Sequence, residues 1–172
     1  KKTLVILGGS LGSGRINEAV EQDLSALLGS DLQLIWQTGK YYYRKYAPLE
    51  KKPAVQILDF VQRMDLLYAA ADFIISRAGA GTISELCLVG KPVIFIPSPN
   101  VAEDHQTKNA MAVVKKEAAI LLRETELDQL VQVVLSLKKD TELQKKFMKN
   151  IKSLALPDAT KDIVDEVMRL IE

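Results

Sequence analysis

Short, uniformly apolar runs recur along this chain, and amphipathic stretches separate them. Leu4-Val5-Ile6-Leu7 has no polar alternate position, so it reads as a strand buried on both faces. Residues 32–36, 55–58, 73–75, 93–96 and 119–122 read as further strands. Residues 17–28 carry Val20, Leu24, Leu27 and Leu28 on one side, as a helix lying on a sheet would. Helices are also predicted over 41–51 (ending before Pro53), 64–71, 82–89 (closed by Gly90) and 103–116. Only helices follow the sixth strand, at about 126–138, 141–154 and 158–171. Strands alternating with helices require a parallel sheet covered on both faces. Right-handed crossovers then give an α/β, doubly wound, Rossmann-like sheet, with predicted strand order 3-2-1-4-5-6. Residues 1–172 show no repeat, linker or low-complexity tract and read as one domain. A buried-type strand starting almost at residue 1 is expected of a domain cut from a longer protein. The helix after Pro157 is expected to reach away from the sheet.

A doubly wound sheet binds ligands beyond the carboxyl ends of its strands, near the point where strand order reverses. Three loops there are unusual. After the first strand comes Gly8-Gly9-Ser10-Leu11-Gly12-Ser13-Gly14. It reads either as an amide-lined anion cradle or as a tight strand-to-helix turn. It lacks the G-x-G-x-x-G spacing of dinucleotide folds and the G-K-[ST] ending of a P-loop, so a nicotinamide dehydrogenase is disfavoured.

After the fourth strand comes Ser76-Arg77-Ala78-Gly79-Ala80-Gly81-Thr82-Ile83-Ser84-Glu85. Small residues open a helix whose N-terminus is partly positive, and Arg77 stands where a cation could face an anion. Glu85 has two readings. It can accept hydrogen bonds from a ribose diol, or it can close a capping box with Thr82. Local chemistry favours the cap. After the fifth strand, Asp104, His105, Gln106 and Asn109 cluster at a helix start. Amides and a neutral imidazole suit sugar hydroxyls; a polar helix end is the plainer reading.

Two further segments have double readings. Asp59-Phe60-Val61-Gln62-Arg63-Met64 is either a turn or a backbone edge that holds a planar base. Tyr41-Tyr42-Tyr43-Arg44-Lys45-Tyr46 is either a half-buried helix or a membrane or partner patch.

Composition removes several classes. Net charge is +1, with 23 Lys and Arg against 22 Asp and Glu, so nothing calls for nucleic acid. Cys87 is the single cysteine and His105 the single histidine, which leaves no intramolecular disulfide and too few ligands for a zinc site. An isomerase of the UDP-N-acetylglucosamine 2-epimerase type needs catalytic carboxylate and histidine sets that one His does not supply. No apolar run approaches the ~20 residues of a membrane span, and no signal peptide is visible.

Taken in order, Gly8-Gly9-Ser10-x-Gly12, Arg77-x-Gly79-Ala80-x-Thr82-x-x-Glu85 and His105-Gln106-x-x-Asn109-Ala110 resemble the donor-binding half of the MurG family of glycosyltransferases. Leu156-Pro157-Asp158-Ala159-Thr160 resembles that family's final helix start. The resemblance covers essentially the whole chain. It implies one half of a GT-B architecture, in which two Rossmann-like domains face each other across a cleft. It implies UDP-N-acetylglucosamine (UDP-GlcNAc) as donor and a lipid-linked muramoyl-pentapeptide as acceptor. The acceptor, the catalytic base and the membrane contact belong to an N-terminal half absent here, so no catalytic residue is expected in this chain.

By the same resemblance, Ser10, Gly12 and nearby amides meet the diphosphate. The Val61 backbone holds the uracil edge. Arg77 closes the pocket, and Gly79, Ala80, Gly81 and Thr82 face the phosphate. Glu85 takes the ribose, and Gln106 and Asn109, with His105 beside them, take the sugar. No Asp-x-Asp signature is present, so no metal or other cofactor is expected on this half. The implied setting is the cytoplasmic face of the bacterial inner membrane, in cell-wall synthesis. A stand-alone, non-catalytic donor subunit of a split glycosyltransferase is the alternative.

Overall fold

The computed structural model describes residues 1–101 and 104–171. Its strands are β1 Lys2–Leu7, β2 Leu32–Gln37, β3 Val55–Leu58, β4 Phe73–Ser76, β5 Val93–Phe95 and β6 Ile120–Leu121. All pair in parallel, in the expected order β3-β2-β1-β4-β5-β6. Strand order reverses between β1 and β4, which makes their carboxyl ends the switch point.

The helices are α1 Gly14–Gly29, α2 Lys40–Tyr46, α3 Met64–Ala70, α4 Ala80–Val89, α5 His105–Val114, α6 Leu130–Lys139, α7 Thr141–Lys152 and α8 Ala159–Ile171. Alternate strand residues feed two separate cores. Leu4 and Ile6 of β1, Phe73 and Ile75 of β4, and Ile94 of β5 pack with Ile16, Val20, Leu24 and Leu27 of α1 and with Leu130, Val134 and Leu137 of α6. Val5 and Leu7, Ile74, and Val93 and Phe95 pack on the other face with α3, α4 and α5. Continuous apolar runs are thus explained by burial on both faces.

Some boundaries differ from the sequence expectation. The stretch predicted as one helix over 41–51 is α2 followed by a 3-10 turn, Ala47–Lys51. Pro48 has no N–H to continue the α-helical ladder, so the chain tightens there. The helix expected at about 126–138 likewise opens with a 3-10 segment, Glu124–Gln129. The expected start of α5 at Glu103 lies outside the described residues. Helix α1 begins earlier than expected, at Gly14, where Ser13 Oγ accepts the Ile16 N–H at 3.3 Å. Asn17 therefore falls inside α1 and is buried, its carboxamide bridging the Trp36 indole N–H (2.9 Å) and the Thr38 carbonyl (2.9 Å). Helix α8 buries nothing: Ile163, Val164, Val167, Met168, Leu170 and Ile171 are all exposed.

Candidate functional site

The loops after β1, β2, β3 and β4 converge at the switch point. They enclose a cleft of about 210 Å³ whose apolar wall is Leu7, Phe60, Val61, Met64 and Tyr68, with Gly9 beside it. Ser10, Gln37, Ser76, Thr82 and Glu85 supply its polar groups. An apolar wall suits a planar base, and a few convergent polar groups fix its orientation.

One side of the cleft is the start of α4. Gly79 is its N-cap, with no side-chain cap, and the Ile83 N–H already returns to the Gly79 carbonyl at 2.9 Å. The amides of Ala80, Gly81 and Thr82 form the first turn and have no acceptor within the helix. Together with the helix dipole they attract anions. Gly81 is exposed, and a Cβ there would meet nothing within 4 Å, so no side chain crowds this turn at that position.

Because α4 starts at Ala80, the capping box expected from Thr82 and Glu85 does not form. Thr82 lies within the first turn rather than before it, and Glu85 sits beyond it. The Glu85 carboxylate instead accepts the Tyr68 hydroxyl at 3.0 Å, from a helix across the cleft. Burial, and then the negative Glu85 beside it, push the Tyr68 phenol well above its usual range. Tyr68 therefore stays a neutral donor and orients Glu85 at the cleft rim.

The opposite side is the glycine loop. Gly12 has φ +80° and Gly39 has φ +87°. A Cβ on Gly12 would lie 2.1 Å from the Thr38 carbonyl oxygen, and one on Gly39 would lie 2.4 Å from that of Leu11. The turns after β1 and β2 are thus pressed backbone to backbone, and only glycine allows it. The Gly12 N–H donates to the Gly9 carbonyl at 3.0 Å, which turns this amide into the loop. Gly8 is held by the Gln37 side chain, whose Oε1 accepts its N–H at 3.1 Å. Ser10 remains exposed, on the cleft lining. Beyond it a second recess of about 560 Å³ is lined by Ser10, Leu11, Gly12, Lys40, Tyr41 and Tyr42.

Arg77 points away from the cleft. Its guanidinium pairs with Glu124 at 2.5 Å and donates to Ser13 Oγ at 2.5 Å and to the Ile96 carbonyl at 3.0 Å. The two charged side chains are only 13% and 12% exposed. Arg77 therefore ties the loops after β1, β5 and β6 to the end of β4. Gln106 and Asn109 form a similar latch from α5. The Gln106 Oε1 accepts the Ser98 N–H at 2.9 Å and the Ala78 N–H at 3.3 Å, and the Asn109 Nδ2 donates to the Ala78 carbonyl at 3.2 Å. His105 is exposed at the first position of α5.

The fold thus gathers Ser10, Val61, Thr82 and Glu85 on one cleft, with Gly79, Ala80 and Gly81 at its edge. Gly12 lies one recess away. Arg77, Gln106 and Asn109 are engaged in the loops behind. Sequence reasoning passed over Gln37, Tyr68 and Glu124. Gln37 had a usable signal, being a polar residue at the carboxyl end of a strand. Tyr68 and Glu124 had none, because their partners lie 17 and 47 residues away.

Over residues 3–163 the chain matches the sequence model of the glycosyltransferase family 28 C-terminal domain. It belongs to that family. Within it, the chain is 59% identical over 173 residues to the UDP-N-acetylglucosamine--N-acetylmuramyl-(pentapeptide) pyrophosphoryl-undecaprenol N-acetylglucosamine transferase of Flavobacterium psychrophilum, with 100% of this chain and 47% of that protein covered. It is 55% identical over 172 residues to the transferase of the same name from Christiangramia forsetii, covering 99% of this chain and 47% of that protein. The family 28 chain thus spans about half the length of these relatives. The crystal structure of Acinetobacter baumannii MurG superposes with a TM-score of 0.81 at 28% identity, over 98% of this chain and 50% of that one. The six-stranded parallel sheet of this chain thus matches half of that MurG structure.

Proposed function

We propose that this family 28 domain is the donor-binding half of an inverting N-acetylglucosaminyltransferase. The whole protein would move N-acetylglucosamine from UDP-GlcNAc to a lipid-linked muramoyl-pentapeptide, the step from lipid I to lipid II in peptidoglycan synthesis. The observation that carries this reading is the open first turn of α4, with Glu85 one turn further along the same helix, beside an apolar cleft. In the proposed pose the uracil lies on the apolar wall against the Val61 backbone. The ribose hydroxyls donate to the Glu85 carboxylate that Tyr68 orients. The diphosphate meets Ser10 and the amides of Ala80, Gly81 and Thr82. The sugar extends toward Gln106, Asn109 and His105, with the latch of the two amides holding that wall in place.

In the reaction, an acceptor hydroxyl attacks the anomeric carbon from the face opposite UDP. The bond from that carbon to the diphosphate oxygen breaks with inversion, and the hydroxyl proton goes to a base on the other half of the protein. Negative charge grows on the departing diphosphate, where preorganised amides at a helix N-terminus stabilise it most. Arg77 serves in this scheme as a brace for the glycine loop. Membrane contact and acceptor binding fall to the other half, in a peripheral protein on the cytoplasmic face of the inner membrane. Among the described residues, no helix is long and apolar enough to cross a membrane.

Calorimetry with UDP-GlcNAc, UDP-glucose, GDP-mannose and NAD tests the reading. UDP-GlcNAc should bind most tightly, and GDP-mannose and NAD should bind weakly or not at all. Preference for any other of the four would overturn the donor assignment.

A further inference from the structure

A diphosphate brings concentrated negative charge, yet among the described residues the cleft proposed to receive it has no cation on its lining and carries the anion Glu85. Arg77, the cation nearest in sequence to the α4 turn, is spent on Glu124 at 2.5 Å in a largely buried pair. Its charge is already compensated, and its guanidinium is held by Ser13 and Ile96 as well.

We propose that Lys40 is the residue that binds the donor diphosphate by charge, resting on the donor assignment above. Lys40 lines the recess that adjoins the cleft and shares Ser10 with it. Its ammonium lies 5.6 Å from the ring centre of Phe60, which lines the cleft itself. It is therefore poised over the rim, on the side where the glycine loop presents Ser10. Among the described residues it has no carboxylate partner, whereas its neighbour Lys45 pairs with Glu21 at 3.2 Å. The backbone fixes its root. Gly39 immediately precedes it and is pressed against Leu11 and Gly12, so the first residue of α2 cannot drift from the loop carrying Ser10. A flexible four-carbon stem needs only to swing from the Phe60 face to the phosphate, exchanging a weak cation–π contact for a charge-assisted hydrogen bond.

The test is calorimetric titration of the full chain and its Lys40→Met and Lys40→Arg variants with uridine, UMP and UDP, at low and high salt. Lys40→Met should weaken UDP binding about tenfold, the scale of one charge-assisted hydrogen bond. It should leave uridine unchanged and flatten the salt dependence of UDP binding. Lys40→Arg should retain most of the UDP affinity. Lys40 is exposed, so the thermal midpoint should not move. Unchanged UDP affinity in Lys40→Met, or equal losses for uridine and UDP, would overturn the role given to Lys40 while leaving the donor site standing. Failure of the unsubstituted chain to bind UDP would overturn the donor assignment and this role together.

Discussion

Two polar clusters crown the same sheet edge and behave oppositely. Around Arg77, the strong groups are turned inward: a carboxylate, a hydroxyl and a carbonyl accept from the guanidinium, and little of the pair meets water. Around Glu85, a few steps along the same edge, the groups are turned outward. The α4 turn has amides without helical acceptors, and among the described residues Tyr68 is the donor that orients the carboxylate. A charged residue at a strand's carboxyl end is therefore not by itself a ligand contact. In the proposed reading the conspicuous cation braces the loops, and the quieter glycine-rich turn receives the ligand.

The contrast can be broken or sharpened by substitution. Gly12→Ala attacks the closed side hardest, since the new Cβ meets the Thr38 carbonyl oxygen at a positive φ. A loss of about 3 kcal/mol or more in chemical denaturation is expected. A loss below about 1 kcal/mol would mean the two turns are free to part. Arg77→Met leaves Glu124 charged in a poorly hydrated site and should cost about 2–4 kcal/mol of stability. The double variant Arg77→Met/Glu124→Leu should recover much of that. If Arg77→Met kept full stability and lost only nucleotide affinity, the cation would belong with the open side.

Glu85→Gln should do the reverse. UDP-GlcNAc affinity should fall about tenfold in calorimetry, with the thermal midpoint held, because Glu85 caps no helix here. Loss of stability without loss of affinity would restore the capping reading.

The smallest effect concerns Tyr68. Its folded-state pKa is raised, so the neutral phenol is favoured in the fold. That contribution is complete below the unfolded phenol value of about 10 and is lost as pH rises through and beyond it. Unfolding curves of the parent should therefore weaken above about pH 10 relative to those of Tyr68→Phe. Parallel pH profiles would show that the fold does not raise the phenol's pKa.

The sheet was legible because its signal is local. Runs such as Leu4 to Leu7 and Phe73 to Ile75 can be buried on both faces only in a covered parallel sheet, and strand order then follows from crossover handedness. Boundaries were less legible where one residue decides them. Pro48 cut a predicted helix short, and Gly79 took the cap that Thr82 was expected to hold. The amide turn of the candidate site was readable, as small residues between a strand and a helix. What occupies Arg77 was not readable, since Ser13, Ile96 and Glu124 are 64, 19 and 47 residues from it. Pairings at such range come from topology, and a pattern along the chain does not carry them.

The most direct measurement is amide chemical-shift mapping of the chain during titration with UDP-GlcNAc. The largest changes are expected at Ala80, Gly81 and Thr82, with Ser10 and Val61 next and the interior of α7 silent. Changes centred instead on the recess of Pro97, Thr107 and Arg123, or on the exposed face of α8, would contradict a donor site at the start of α4.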